Sequence, residues 1–237
     1  MDFLTNLGQT SPYPLLIEVD RAEGIFIYDK QGNAYADLIS GIAVSSLGHG
    51  HPRIKKAIHD QVERHLHVMV YGEFIQDAQM DFARKLTSIL PSSLQAVYPV
   101  NSGTEANEAA MKLVKRVTGR SEIIAFKGSY HGSTHGSMSI SYNELKKTKY
   151  RPLVPGIRFI TLNQVQELEQ ITTATAGVIL ETIQGDAGVR IPDSSYLQAL
   201  RARCTEVGAL LVFDEIQCGL GRAGSNFAFE QFNVIPD

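Results

Sequence analysis

A chain of 237 residues with 43% hydrophobic and 20% charged content can bury a substantial core, which excludes disorder. A net charge of -3, with "KKTK" at 146–149 too short to anchor to acidic lipid, gives no electrostatic footprint for nucleic acid or a membrane surface. The opening "MDFLTNLGQTSPYP" lacks the basic and apolar parts of a secretory signal and no apolar run reaches membrane length, so a soluble, cytoplasmic protein is expected.

Residues 15–37 hold three short apolar runs, "LLIEV", "IFIYD" and "AYADL", separated by "DRAEG" and "DKQGN", the pattern of a small β meander. From Pro52 the period changes: Ile54, Ala57, Ile58, Val62 and Leu66 share one face of a helix opened by a proline. Phe82, Ala83, Leu86 and Ile89 or Leu90 mark a second helix that stops before Pro91. Strand candidates then follow at 95–100, 122–126, 157–161, 176–182 and 209–214. Between them lie helical patterns, among them Ala106, Ala109, Ala110, Leu113, Val114, Val117 and Leu197, Leu200, Cys204, Val207. This alternation predicts an α/β fold with a mainly parallel central sheet flanked by helices. Ligands bind such sheets beyond the carboxyl ends of the strands, so the residues just after each strand are the candidates for function. Cys204 and Cys218 are too few for a disulfide framework, and no metal-ligand set stands out.

After the first of these strands, Ser102, Gly103 and Thr104 open a helix in "NSGTEANEAA". Free N–H groups at the positive end of that helix suit a phosphate, and a plain N-cap, Ser102 with Glu105, is the competing reading. "KGSYHGSTHG" sets Tyr130 and His131 in a glycine- and hydroxyl-rich loop, where a ring can lie against a flat ligand or simply pack. "VILETIQGDAGV" places Glu181 at a strand end and Asp186 in the turn beyond it, and "LLVFDE" ends on Asp214 and Glu215. "GLGRAG" at 219–224 fits a dinucleotide-binding pattern, but "DEIQC" separates it from its strand and no helix follows.

Taken in order, "GIAVSSLGHGHP", "NSGTEANEAAMKL", "YHGSTHGSMS", "ETIQGDAGV" and "LLVFDEIQCGLGRAG" resemble the class III aminotransferases of fold type I, which depend on pyridoxal 5'-phosphate. The resemblance runs from Pro12 to Asp237. It implies that residues 1–50 belong to the small domain and 51–237 to an incomplete cofactor-binding large domain. It implies that Asp214 pairs with the pyridine nitrogen, that Gln217 bonds the phenolic oxygen, and that Gly103 and Thr104, with Ser102 beside them, hold the phosphate. Tyr130 matches the aromatic stacked on the ring, and Glu181 the acid on the substrate side. Glu215 is expected to be structural, and His49, His51 and His131 to be hydrogen-bonded scaffold. Ser133 stands where ornithine- and 4-aminobutyrate-type relatives usually carry arginine, and Asp186 where many have glutamate, so no substrate can be named.

The family's Schiff-base lysine lies beyond Asp214, and no lysine follows Lys149 here, so a truncated chain that is inactive by itself is expected. The expected activity of the parent protein is transfer of an amino group from an amino acid or ω-amino acid to a 2-oxo acid. An aminomutase or epimerase of the same fold, or a truncated non-catalytic binding module, is the alternative. A homodimer is expected as well, with "SSLGHGHP" and the loop up to Tyr71 resembling the segment that reaches the neighbouring subunit.

Overall fold

The structure is a computed structural model that describes residues 2–69 and 72–237. Tyr71, the end of the segment expected to reach a neighbour, lies outside the described residues. The chain divides into two compact units, Met1–Val68 and Met69–Asp237.

The first unit contains a short helix α1 (Asp2–Asn6), the strands β1 (Val19–Glu23), β2 (Phe26–Asp29) and β3 (Ala34–Ala36), a turn-like α2 (Ser40–Ala43) and helix α3 (Pro52–Arg64). The strands form an antiparallel meander in the order β1-β2-β3. Its first strand is not "LLIEV" but "VDRAE", the segment expected to separate strands. The turn fixes this register: Glu23 pairs with Phe26 across Gly24, whose φ of 58° closes the hairpin, so the residues just before Gly24 must form the strand. Leu16, at φ 56°, interrupts the extended run upstream. Helix α3 begins at its proline as expected, but its apolar stripe stays open: Ile54, Ile58 and Val62 are 46%, 59% and 47% exposed.

The second unit holds α4 (Asp77–Ser88), α5 (Gly103–Thr118), β4 (Glu122–Phe126), α6 (His135–Ile140), α7 (Glu144–Lys147), β5 (Ile157–Ile160), β6 (Thr175–Glu181), α8 (Ser194–Val207) and β7 (Leu210–Asp214). A last 3₁₀ turn spans Ala228–Phe232. The four strands are parallel, in the order β5-β4-β6-β7. Their apolar runs are continuous because both faces are covered, and alternate residues go to different layers. Ile123, Ala125 and Ile179 pack with Met111 and Val114 of α5, while Ile124, Phe126, Val178, Leu180 and Leu211 pack with Leu197, Leu200 and Cys204 of α8. On β7 the parity is equally clear: Leu210 and Val212 join the α5 layer, Leu211 and Phe213 the α8 layer.

Two expectations fail in this unit. Residues 95–100 form no strand; Pro99 offers no N–H, and Tyr98, 78% exposed, has no neighbouring strand to pack on. Helix α5 has the expected span but turns a different face inward. Its buried residues are Asn107, Met111 and Val114, whereas Leu113 and Val117 are 58% and 62% exposed. The helix carries apolar residues on more than one side, and the buried side includes a polar group, Asn107, which has partners in the interior.

Candidate active site

The carboxyl ends of β6 and β7 lie side by side, with Glu181 opposite Asp214 in the register. Asp214 is 8% exposed and belongs to the parity that faces α5. Its Oδ2 accepts from Asn107 Nδ2 at 2.8 Å and bonds to His131 Nδ1 at 2.7 Å. Since a carboxylate only accepts, the short contact assigns a hydrogen to His131 Nδ1, while Nε2 is buried and has no hydrogen-bond partner. Asp214 Oδ1 accepts from the Ile216 N–H at 3.1 Å and retains a lone pair for one more donor.

Asn107 is a residue that sequence reasoning missed. Besides Asp214, its amide donates to the carbonyl of His131 at 3.0 Å, so one side chain joins α5, the 127–134 loop and the end of β7. Its position, one helical turn after Gly103, was the available signal: a polar residue on the side of the helix that begins at the ligand. His131, expected as scaffold, has that role, but what it holds is the carboxylate itself.

The start of α5 is adjacent. A β-carbon on Gly103 would fall 2.8 Å from the Ile216 side chain, so glycine lets the helix start lie against the segment after Asp214. Ser102 proves to be the N-cap: its hydroxyl accepts from Glu105 N at 3.3 Å, and Glu105 in return accepts from Asn101 N at 2.6 Å. The Thr104 hydroxyl turns toward α6, bonding Thr134 Oγ1 at 2.8 Å and Ser137 Oγ at 2.5 Å. What remains for an anion is therefore backbone: the first N–H groups of a helix, which have no intrahelical acceptor.

Tyr130 is 44% exposed, and its N–H is fixed by Glu181 Oε1 at 2.9 Å. Glu181 Oε2 accepts from Gly185 N at 3.0 Å. Gln217 lies against Gly185, where any β-carbon would overlap its amide. Asp186 is more exposed and pairs with Lys146 at 3.6 Å. Glu215, of the opposite parity to Asp214, points away from this cluster and accepts the N–H groups of Ala228 and Phe229 at 2.6 and 2.7 Å. The adjacent acids that end the apolar strand thus divide between two layers.

Burial pushes the pKa of Glu181 up, opposed by the hydrogen bonds from Tyr130 and Gly185. A raised folded-state pKa means that its contribution to stability is complete below the unfolded value and is lost as pH rises through the folded one. Glu181→Gln, which cannot ionise, is therefore expected to gain stability relative to the wild type as pH climbs from ~4.3, the unfolded value, to neutrality. Urea unfolding at acidic and neutral pH checks this; a difference that moves in favour of wild type with rising pH contradicts it.

The residues present fit a flat, phosphorylated, nitrogen-containing ring: a buried acceptor with spare capacity at Asp214, free N–H groups at the α5 start, and the exposed Tyr130 ring between loops that join both. The fold aligns with the ornithine aminotransferase of Toxoplasma gondii (TM-score 0.91, 28% identity, 99% of this chain and 57% of that one). It also aligns with the taurine:2-oxoglutarate aminotransferase of Bifidobacterium kashiwanohense, solved in complex with PLP and glutamate (TM-score 0.89, 26% identity, 100% and 59%). The fold thus defines a fold type I transaminase architecture. The aminotransferase class-III family model matches residues 8–237, and the chain belongs to that family. Among curated relatives, the acetylornithine aminotransferase of Methanopyrus kandleri is 43% identical over 216 residues, 91% of this chain and 55% of the relative. The [LysW]-aminoadipate semialdehyde/glutamate semialdehyde transaminase of Sulfurisphaera tokodaii is 38% identical over 221 residues, 93% and 57%. The chain spans little more than half the length of these relatives.

Proposed function

We propose that the whole protein is a pyridoxal 5'-phosphate-dependent aminotransferase that moves an amino group from an amino acid or ω-amino acid to a 2-oxo acid. The observation that carries this is the buried Asp214 carboxylate, held by Asn107 and His131 with one acceptor site left. When bound, the cofactor supplies an electron-withdrawing ring that takes up the charge left as a proton leaves the substrate carbon. Asp214 would keep the ring nitrogen protonated, which that role requires. The N–H groups of Gly103 and Thr104 would bind the phosphate, Tyr130 would cover one ring face, and Gln217 would bond the phenolic oxygen. Glu181, fixed by two backbone N–H groups, would stand on the substrate side.

The same reading takes residues 1–50 as part of the small domain and 51–237 as part of the large one, and the protein as a cytoplasmic homodimer. Acidic net charge supports a soluble enzyme, and among the described residues no helix is long and apolar enough to cross a membrane. The test incubates the whole protein with pyridoxal phosphate, an isotopically labelled amino donor and 2-oxoglutarate. Label in newly formed glutamate is expected; isomerised donor without labelled glutamate would instead indicate an aminomutase or epimerase.

A further inference from the structure

We propose that Glu108 is a positioning residue for the phosphate: acting through Thr134 and Thr104, it holds the first turn of α5 in the geometry that lets its N–H groups bind the anion. This rests on the aminotransferase reading for the identity of the ligand. A helix start holds an anion by backbone groups that no intrahelical bond restrains, so its worth depends on how firmly that turn is fixed beforehand. Ser102 caps the turn from one side, with a bond of 3.3 Å. The other restraint comes from α6, and Glu108 organises it.

Glu108 lies one turn beyond Thr104 on α5, and its Oε1 accepts three bonds: from Thr134 Oγ1 at 2.5 Å, Gly136 N at 2.8 Å and Ser137 N at 3.1 Å. Thr134, the N-cap of α6, makes no cap bond with its own side chain, so this carboxylate takes its place. A β-carbon on Gly136 would overlap the Glu108 carboxylate, which is why glycine stands there. One hydrogen per hydroxyl then sets the direction of every link. Thr134 gives its hydrogen to the carboxylate, which only accepts, so Thr104 Oγ1 must donate to Thr134 Oγ1 at 2.8 Å. With the Thr104 hydrogen spent, Ser137 Oγ donates to Thr104 Oγ1 at 2.5 Å, and the Thr134 N–H adds a third bond at 3.3 Å. The Thr104 side chain is therefore saturated and clamped by three bonds, at the residue whose N–H would bind the phosphate. Gly132, at φ 125°, lets the loop close on it, because a β-carbon there would strike the Thr104 hydroxyl. Without Glu108 the Thr134 hydroxyl is free to turn, the N–H groups of the buried Gly136 and Ser137 lose their acceptor, and the clamp loosens.

The experiment titrates the whole protein, freed of cofactor, with pyridoxal phosphate and with pyridoxal, which shares the ring and aldehyde but lacks the phosphate. The ratio of the two affinities reports the phosphate contacts alone. Glu108→Ala is expected to lower that ratio about tenfold, the scale of ordering one or two groups on binding, while leaving pyridoxal affinity unchanged. Glu108→Gln is expected to keep the wild-type ratio, because one amide oxygen can accept all three donors that now go to Oε1. Thr134→Val, at an exposed residue, breaks the link while leaving Glu108 on Gly136 and Ser137. It is expected to lower the ratio as well, and it decides the matter should Glu108→Ala fail to fold. Because the two residues act in series, the double variant is expected to fall no further than Glu108→Ala. A ratio unchanged in Glu108→Ala or Thr134→Val, equal weakening of both ligands, or losses that multiply in the double variant overturns the proposal. Wild type that binds the two ligands equally refutes the cofactor reading together with the proposal, so the two failures are told apart.

Discussion

Replacing Asp214 with asparagine is expected to lower kcat/KM for amino transfer in the whole protein by ~10²–10⁴, the range for loss of one positioned proton-handling group. The substitution keeps the volume but cannot satisfy the site. If the amide oxygen takes the Oδ2 position, to accept from Asn107 and His131, the NH₂ is left facing the Ile216 N–H, donor against donor. Reversing the amide sets two donors against Asn107 and His131. Either way a buried group goes unmatched, at about 1–3 kcal/mol, and the acceptor for the ring nitrogen is lost or weakened. Comparing kcat/KM with the shift in unfolding midpoint separates these effects. Activity within tenfold of wild type would show that Asp214 does not hold the ring proton.

Glu215→Ala is expected to act on stability instead. The carboxylate accepts two backbone N–H groups at the start of the 228–232 turn, and alanine leaves both without an acceptor. At about 1–3 kcal/mol for each unmatched group, partly offset by water where Glu215 is not fully covered, a loss of roughly 2–4 kcal/mol follows. Urea midpoints measure the loss, and amide exchange at Ala228 and Phe229 should accelerate specifically. A variant as stable as wild type would mean that the turn is held by its aromatic contacts, Phe213 with Phe229 at 6.3 Å among them.

The core of the second unit was legible in the sequence because its strands, buried on both faces, are unbroken apolar runs separated by amphipathic helices. Residues 122–126, 157–160 and 210–214 lie where the pattern placed them, and Leu197, Leu200, Cys204 and Val207 form the buried stripe of α8. The same hydrophobic criterion misled at 95–100, where apolar residues alternate with nothing to pair against, and on α5, where Leu113 and Val117 are exposed. The meander shifted because a turn, not hydrophobicity, set its register. At the site, the bonds that hold the residues read from motifs were hidden. Asn107 had been lost among the alanines of a helix, and the hydroxyls of Ser102 and Thr104 went to capping and to α6, which only three-dimensional neighbours reveal.

The parity of β7 bears on which genetic changes the chain can tolerate. Substitutions along this strand alter one contact at a time, but inserting or deleting a single codon between Leu210 and Asp214 rotates every following residue to the other layer. Glu215 would then occupy the chemical side and Asp214 the structural one, each with the wrong reach for its partners. Point substitutions here are local injuries; a one-codon length change would lose chemistry and fold together, so this strand is expected to vary in residue type across lineages while its length stays fixed.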